Sequence, residues 1–88
     1  MKELADIRVE IDAIDDQLAD LVRRRLDIVG EVAAAKREKG VPVSDPARER
    51  AILTRVAEKV GPEYENAARL VFSAIFEVSR MRQVARMR

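Results

Sequence analysis

The chain has 88 residues, enough for one domain with a modest core, since so short a domain buries only about 60 to 65% of the surface its unfolded chain exposes. It is 48% apolar and 38% charged, but 17 Lys and Arg stand against 16 Asp and Glu, and a net charge of +1 lacks the cationic excess of nucleic-acid or membrane-surface proteins. With no cysteine and no histidine, the composition excludes disulfides, thiolate nucleophiles, imidazole bases and the usual zinc ligands.

The first element begins in MKELADIRVEID, which is charged from the start and has no apolar run of a leader peptide. Nowhere do 18 apolar residues run together, so the expectation is a soluble, cytoplasmic protein without a membrane segment. Leu4, Ile7, Ile11, Ile14, Leu18, Leu21, Ile28 and Val32 alternate by three and four, which predicts a helix of about 35 residues, roughly 50 Å long. The one position that breaks this seam is Arg25.

KGVPVSDP, at 39–46, interrupts the pattern. Asp45 is placed to cap a second helix, with Pro46 at its first position, where a missing N–H costs nothing. Ile52, Leu53, Val56 and Val60 give this helix an apolar face, and Gly61 stops it. Pro62 is then expected to open a third helix carried by Tyr64, Ala68, Val71, Phe72, Ile75, Phe76, Val78 and Val84 and running nearly to the end. The expected fold is all-α, a single domain over 1–88 with helices in the order long, short, long.

A helix of about 50 Å does not fit inside a compact monomer of this length, whose radius of gyration should be about 12 Å. The expectation is an intertwined helical-bundle homodimer with the long helices side by side.

Five places hold polar residues that bear on function. Arg25, taken alone, reads most simply as an arginine whose stem packs while its head snorkels to the interface edge. Lys36 follows eleven residues later on the same face, where a lysine near a helix end is ordinarily solvated or favoured by the dipole. On the third helix the stripe Ala68, Phe72, Ile75 continues into Ser79 and Gln83. A serine there can bond the carbonyl of the preceding turn, but a glutamine does so less easily. Arg48 and Glu49 stand in the first turn of helix two; Asp-Pro followed by glutamate is common helix-start chemistry, although that turn also offers free N–H groups and a carboxylate to a ligand. Arg8 lies 17 residues, about 25 Å, from Arg25 in its own chain. If two long helices pair antiparallel about residue 20, however, residue 8 of one faces residue 32 of the other, and the scattered cations become one cluster.

Arg8, Asp15, Leu18, Leu21, Arg25, Val32 and Lys36, then Asp45 with Arg48 and Glu49, and finally Glu77-x-Ser79-x-x-x-Gln83, resemble the dimeric, three-helix chorismate mutases. The match is gapless from Arg8 through Glu49, and the chain departs from the pattern at the short link VGPEYE. Each motif is weak alone, but the ordered set is specific. The resemblance implies rearrangement of chorismate to prephenate in phenylalanine and tyrosine biosynthesis by a pericyclic shift, without cofactor, metal, covalent intermediate or proton transfer. It also implies catalytic roles for Lys36, Gln83 and Arg25. Arg25 and the opposite chain's copy of Arg8 would hold the substrate carboxylates, assisted by Arg48. Lys36 and Gln83 would donate to the ether oxygen, a position where some family members carry glutamate in place of the glutamine. Glu49 and the backbone at Asp45 would take the ring hydroxyl, and Ser79 would line the substrate site. Two rivals remain at this stage. One is a non-catalytic helical dimerisation module in which Arg25, Ser79 and Gln83 set the register; the other is a nucleic-acid-binding domain using Arg23 to Arg25 and the tail RMRQVARMR.

Overall fold

The computed structural model describes residues 1–87, which form α1 (Leu4–Lys39), α2 (Pro46–Val60) and α3 (Glu65–Met87). The helices have 36, 15 and 23 residues, and no strand occurs among the described residues, so the all-α, long-short-long expectation holds. Arg88, the last residue of the basic tail, lies outside the described residues.

The ends of the helices follow from local chemistry. The last turn of α1 carries Lys36, Arg37 and Lys39, which complement the negative end of the helix dipole. Gly40 follows in the left-handed region at φ 69°, where a side chain would clash. Its N–H bonds Arg37 O, and the N–H of Val41 reaches back to Lys36 O at 3.0 Å, which together make a Schellman cap. Asp45 caps α2 as expected: its Oδ1 accepts the N–H of Arg48 at 3.1 Å, and Pro46 opens the helix. Gly61 ends α2 with φ 84°.

Helix α3 starts at Glu65, three residues later than the proline suggests. Residues 62–64 form a turn in which the N–H of Tyr64 bonds Gly61 O at 3.2 Å. Tyr64 O then accepts the N–H of Ala68, so this tyrosine caps the helix and stays exposed instead of joining its apolar face.

Helix α3 packs on both other helices, whereas α1 and α2 make no direct backbone-level contact among the described residues. The core is small: Val29 and Ala33 from α1, Ile52 and Ala57 from α2, and Phe76 from α3. Phe72 meets Phe76 edge to face with centroids 6.1 Å apart, a favoured aromatic geometry.

The face of α1 that meets α3 is Leu26, Val29, Gly30 and Ala33, not the long expected seam. Each residue advances about 100° around a helix, so these positions form a second stripe beside the first. The seam itself is uncovered, from Leu4 at 60% exposed through Leu18 at 53% to Ile28 at 54%. A radius of gyration of 16.2 Å, against about 12 Å for a compact chain of this length, expresses the same extended shape. The chain is a slab of 56 × 26 × 14 Å, only about as thick as one helix diameter.

Ala33 is fully buried between α1 and α3, so Ala33→Leu should overpack this contact and lower the urea midpoint by an amount corresponding to about 1–3 kcal/mol. An unchanged midpoint would mean that the two helices can separate at no cost.

Candidate active site

The C-terminal half of α1, the first two turns of α2 and the C-terminal half of α3 surround a cavity of about 430 Å³. Its apolar part comes from Ile28, Val29 and Val32 of α1, Ile52 of α2 and Phe76 of α3. Seven of the eight residues singled out in the sequence line it: Arg25, Lys36, Asp45, Arg48, Glu49, Ser79 and Gln83. The eighth, Arg8, lies in the exposed N-terminal part of α1, about 25 Å along the helix from Arg25, and is not among the lining residues.

Arg25 is half-buried at the edge of the α1 face that packs on α3. Its Nη1 donates to Ser79 Oγ, and that hydroxyl donates in turn to Ile75 O at 2.7 Å. Ser79 is buried, so its one proton and its acceptor position serve α3 and Arg25. Burial first, and the like charge of Arg48 second, push the Arg25 guanidinium below its ordinary pKa. Arg25 makes no ion pair among the described residues, so no carboxylate within 4 Å offsets either cost.

Lys36 Nζ donates to Val43 O at 2.8 Å, tying the end of α1 to the connection into α2. An ammonium has three donors, so two remain for other partners. Glu49 reaches across to α3, where Arg80 Nη1 donates to its Oε2 at 2.6 Å. Gln83 is only 7% exposed, yet its Oε1 is buried with no hydrogen-bond partner among the described residues. Leaving such an acceptor unpaired costs about 1–3 kcal/mol, so the oxygen is a cost to this packing, while the amide nitrogen is the group with a proton to offer a ligand.

Arg80 is the one charged lining residue that the sequence reading did not single out. Its signal was present: Phe76, Arg80 and Gln83 stand at i, i+4 and i+7, which places them on one helix face. In all, four cations (Arg25, Lys36, Arg48 and Arg80) and two carboxylates (Asp45 and Glu49) stand around an apolar floor. Such an arrangement can hold and orient a small dianion, with donors at several points on its surface.

The sequence profile of the chorismate mutase type II family matches residues 7–84, and the chain belongs to that family. The chain is 34% identical over 80 residues to a chorismate mutase of Methanocaldococcus jannaschii, an alignment covering 88% of this chain and 80% of that one. It is 42% identical over 55 residues to a 4-amino-4-deoxychorismate mutase of Streptomyces venezuelae, covering 62% of this chain and 53% of the relative. A T-protein of Haemophilus influenzae is 41% identical over 64 residues, which are 69% of this chain but 17% of that longer protein.

Replacing Arg25 with leucine completes the apolar seam and removes a charge that burial disfavours, while Ser79 keeps its bond to Ile75 O. Arg25→Leu should therefore leave the urea midpoint unchanged or raise it, while abolishing turnover. Marked unfolding with full activity in the folded fraction would make Arg25 a structural residue.

Proposed function

We propose that this chain is a chorismate mutase that converts chorismate to prephenate within phenylalanine and tyrosine biosynthesis. The observation that carries the reading is the set of four cations around an apolar floor, with the buried amide of Gln83 among them. Chorismate is a flexible dianion, and its rearrangement needs the side chain folded over the ring. Holding two carboxylates at fixed points addresses that orientation requirement.

Arg25, fixed by Ser79, binds one carboxylate; Arg8 of a second copy binds the other, with Arg48 assisting. The contact of Ser79 with the substrate is made through Arg25, because its own proton is engaged by Ile75 O. Lys36 uses its remaining donors, and Gln83 its amide nitrogen, on the ether oxygen, where negative charge grows as the C–O bond breaks. Donors already in place and shielded from water favour the transition state over the ground state. Glu49 and the backbone at Asp45 accept the ring hydroxyl. Even the low end of enzymatic acceleration, about 10⁶-fold, needs about 8 kcal/mol, a plausible load for two such donors together with conformational restriction.

The reading includes a homodimer in which the uncovered seam of α1 is buried against its copy and each site receives Arg8 from the opposite chain. It supports this that the seam is apolar over most of the length of α1 and that Arg8 is remote from its own chain's cavity. Residues 1–88 act as one mutase domain in the cytoplasm; no helix among the described residues is long and apolar enough to cross a membrane.

Purified protein mixed with chorismate should deplete its ultraviolet absorbance, and a rate no higher than background would sink the enzyme reading. The wild-type rate should be nearly flat from mildly acidic to neutral pH, because an amide donates regardless of pH. Gln83→Glu should lose most of its kcat at neutral pH, where an ionised carboxylate repels the developing oxyanion. Its activity should return as pH falls and the carboxyl becomes a donor, with the neighbouring cations holding that transition at low pH. A Gln83→Glu enzyme with wild-type turnover at neutral pH would take Gln83 out of the mechanism.

Mixing Arg8→Ala subunits with Lys36→Ala subunits should restore activity, since each heterodimer has one intact site. A mixture as inactive as both parents would refute the shared site.

A further inference from the structure

Glu49 comes from the first turn of α2, and on the reading above it accepts the substrate's ring hydroxyl. In this chain its Oε2 is already bound, at 2.6 Å, by Arg80 of α3. Glu49 and Arg80 both line the cavity, with side chains 28% and 38% exposed. Oε1 makes no hydrogen bond among the described residues and is the atom left to receive a donor from a ligand.

We propose that Arg80 is a specificity-determining positioning residue, which neutralises Glu49 so that the site accepts a hydroxyl at the substrate's C4 and rejects an ammonium there. The inference rests on the mutase reading of the cavity and extends it to the choice of substrate. A bare carboxylate at this end would favour an ammonium, because charge-assisted hydrogen bonds are roughly twice as strong as neutral ones. With a guanidinium on one oxygen, the field of the carboxylate is largely cancelled, but a lone pair remains for a neutral hydroxyl. The surroundings reinforce the effect. Arg48 is the adjacent residue, and Asp45, the other carboxylate of the cavity, has its Oδ1 turned to the N–H of Arg48. An ammonium entering here meets Arg48 and Arg80 with little net negative charge to hold it. The pair also fixes the carboxylate against α3, leaving Oε1 as its free acceptor.

Selectivity built from repulsion of the wrong substrate can be uncovered by removing the repelling group. The competing compound is 4-amino-4-deoxychorismate, which carries an amine where chorismate carries the C4 hydroxyl. Arg80 is partly exposed, and its replacement opens no cavity in the core.

The test measures kcat/KM for chorismate and for 4-amino-4-deoxychorismate with wild type, Arg80→Met and Arg80→Lys. Wild type should favour chorismate. Arg80→Met should shift the ratio toward the amino substrate by about tenfold, a reasonable effect for one partly screened unit charge, and added salt should shrink the shift. Arg80→Lys, which keeps the charge, should retain most of the wild-type preference. Equal losses for both substrates in Arg80→Met would reduce Arg80 to a tie between α2 and α3 and overturn the inference. So would Lys and Met variants with the same ratio. A wild type that converts chorismate while its ratio is insensitive to Arg80→Met defeats this inference alone; a wild type that converts neither compound defeats the mutase reading and the inference with it.

Discussion

Helix α3 is the only described element that packs on both of the others, and the cavity lies between α1 and α2, which make no backbone-level contact with each other among the described residues. Everything about the site depends on this arrangement. Arg25 of α1 and the carboxylate of α2 are placed relative to one another by two consecutive residues of α3: Ser79 holds Arg25, and Arg80 holds Glu49. A third polar crossing, from Arg82 Nε to Leu26 O at 3.4 Å, lies beside them. Partly exposed ion pairs contribute little to stability, about 0–1 kcal/mol each. The apolar contacts of Val29, Ala33, Ile52, Ala57 and Phe76 therefore hold the helices together, while the polar crossings set where the charges stand.

The same site works against the stability of the empty protein. Arg25 is desolvated beside the like charge of Arg48, and a buried Gln83 has an oxygen with no partner. A core evolved only for packing would replace both with leucine or methionine at no loss. An anion in the cavity relieves the first of these costs directly, because it supplies the charge that the guanidinium lacks. Binding and folding would then be linked, and a dianionic ligand held as proposed would raise the stability of the chain as well as occupying the site.

Much of this was legible in the sequence, and the reasons are physical. The break at Gly40 to Asp45 and the stop at Gly61 are visible because a left-handed backbone and an N-cap each need particular residues. Arg25, Lys36, Ser79 and Gln83 stood out because helical periodicity made them polar exceptions. Three things were missed in the sequence. The α1 face that actually packs on α3 is built from Leu26, Val29, Gly30 and Ala33, and small residues contribute weakly to a periodic signal that the larger seam residues dominate. The start of α3 moved because a backbone turn onto Gly61 O, invisible to residue preference, was closed before the helix could begin. Arg80 escaped notice because an arginine on a helix is ordinary until a carboxylate from another helix is found beside it.

The first five turns of α1 have a further consequence. Residues 4–22 are exposed throughout, and a free helix of that length is marginal in water. Within a lone protomer these turns have little to protect them, so their amide hydrogens would exchange with solvent far faster than those of α3. If, as proposed, a second copy covers the seam, it would also close those amides, and the deuterium uptake of this one segment would then gauge how much of the protein is assembled.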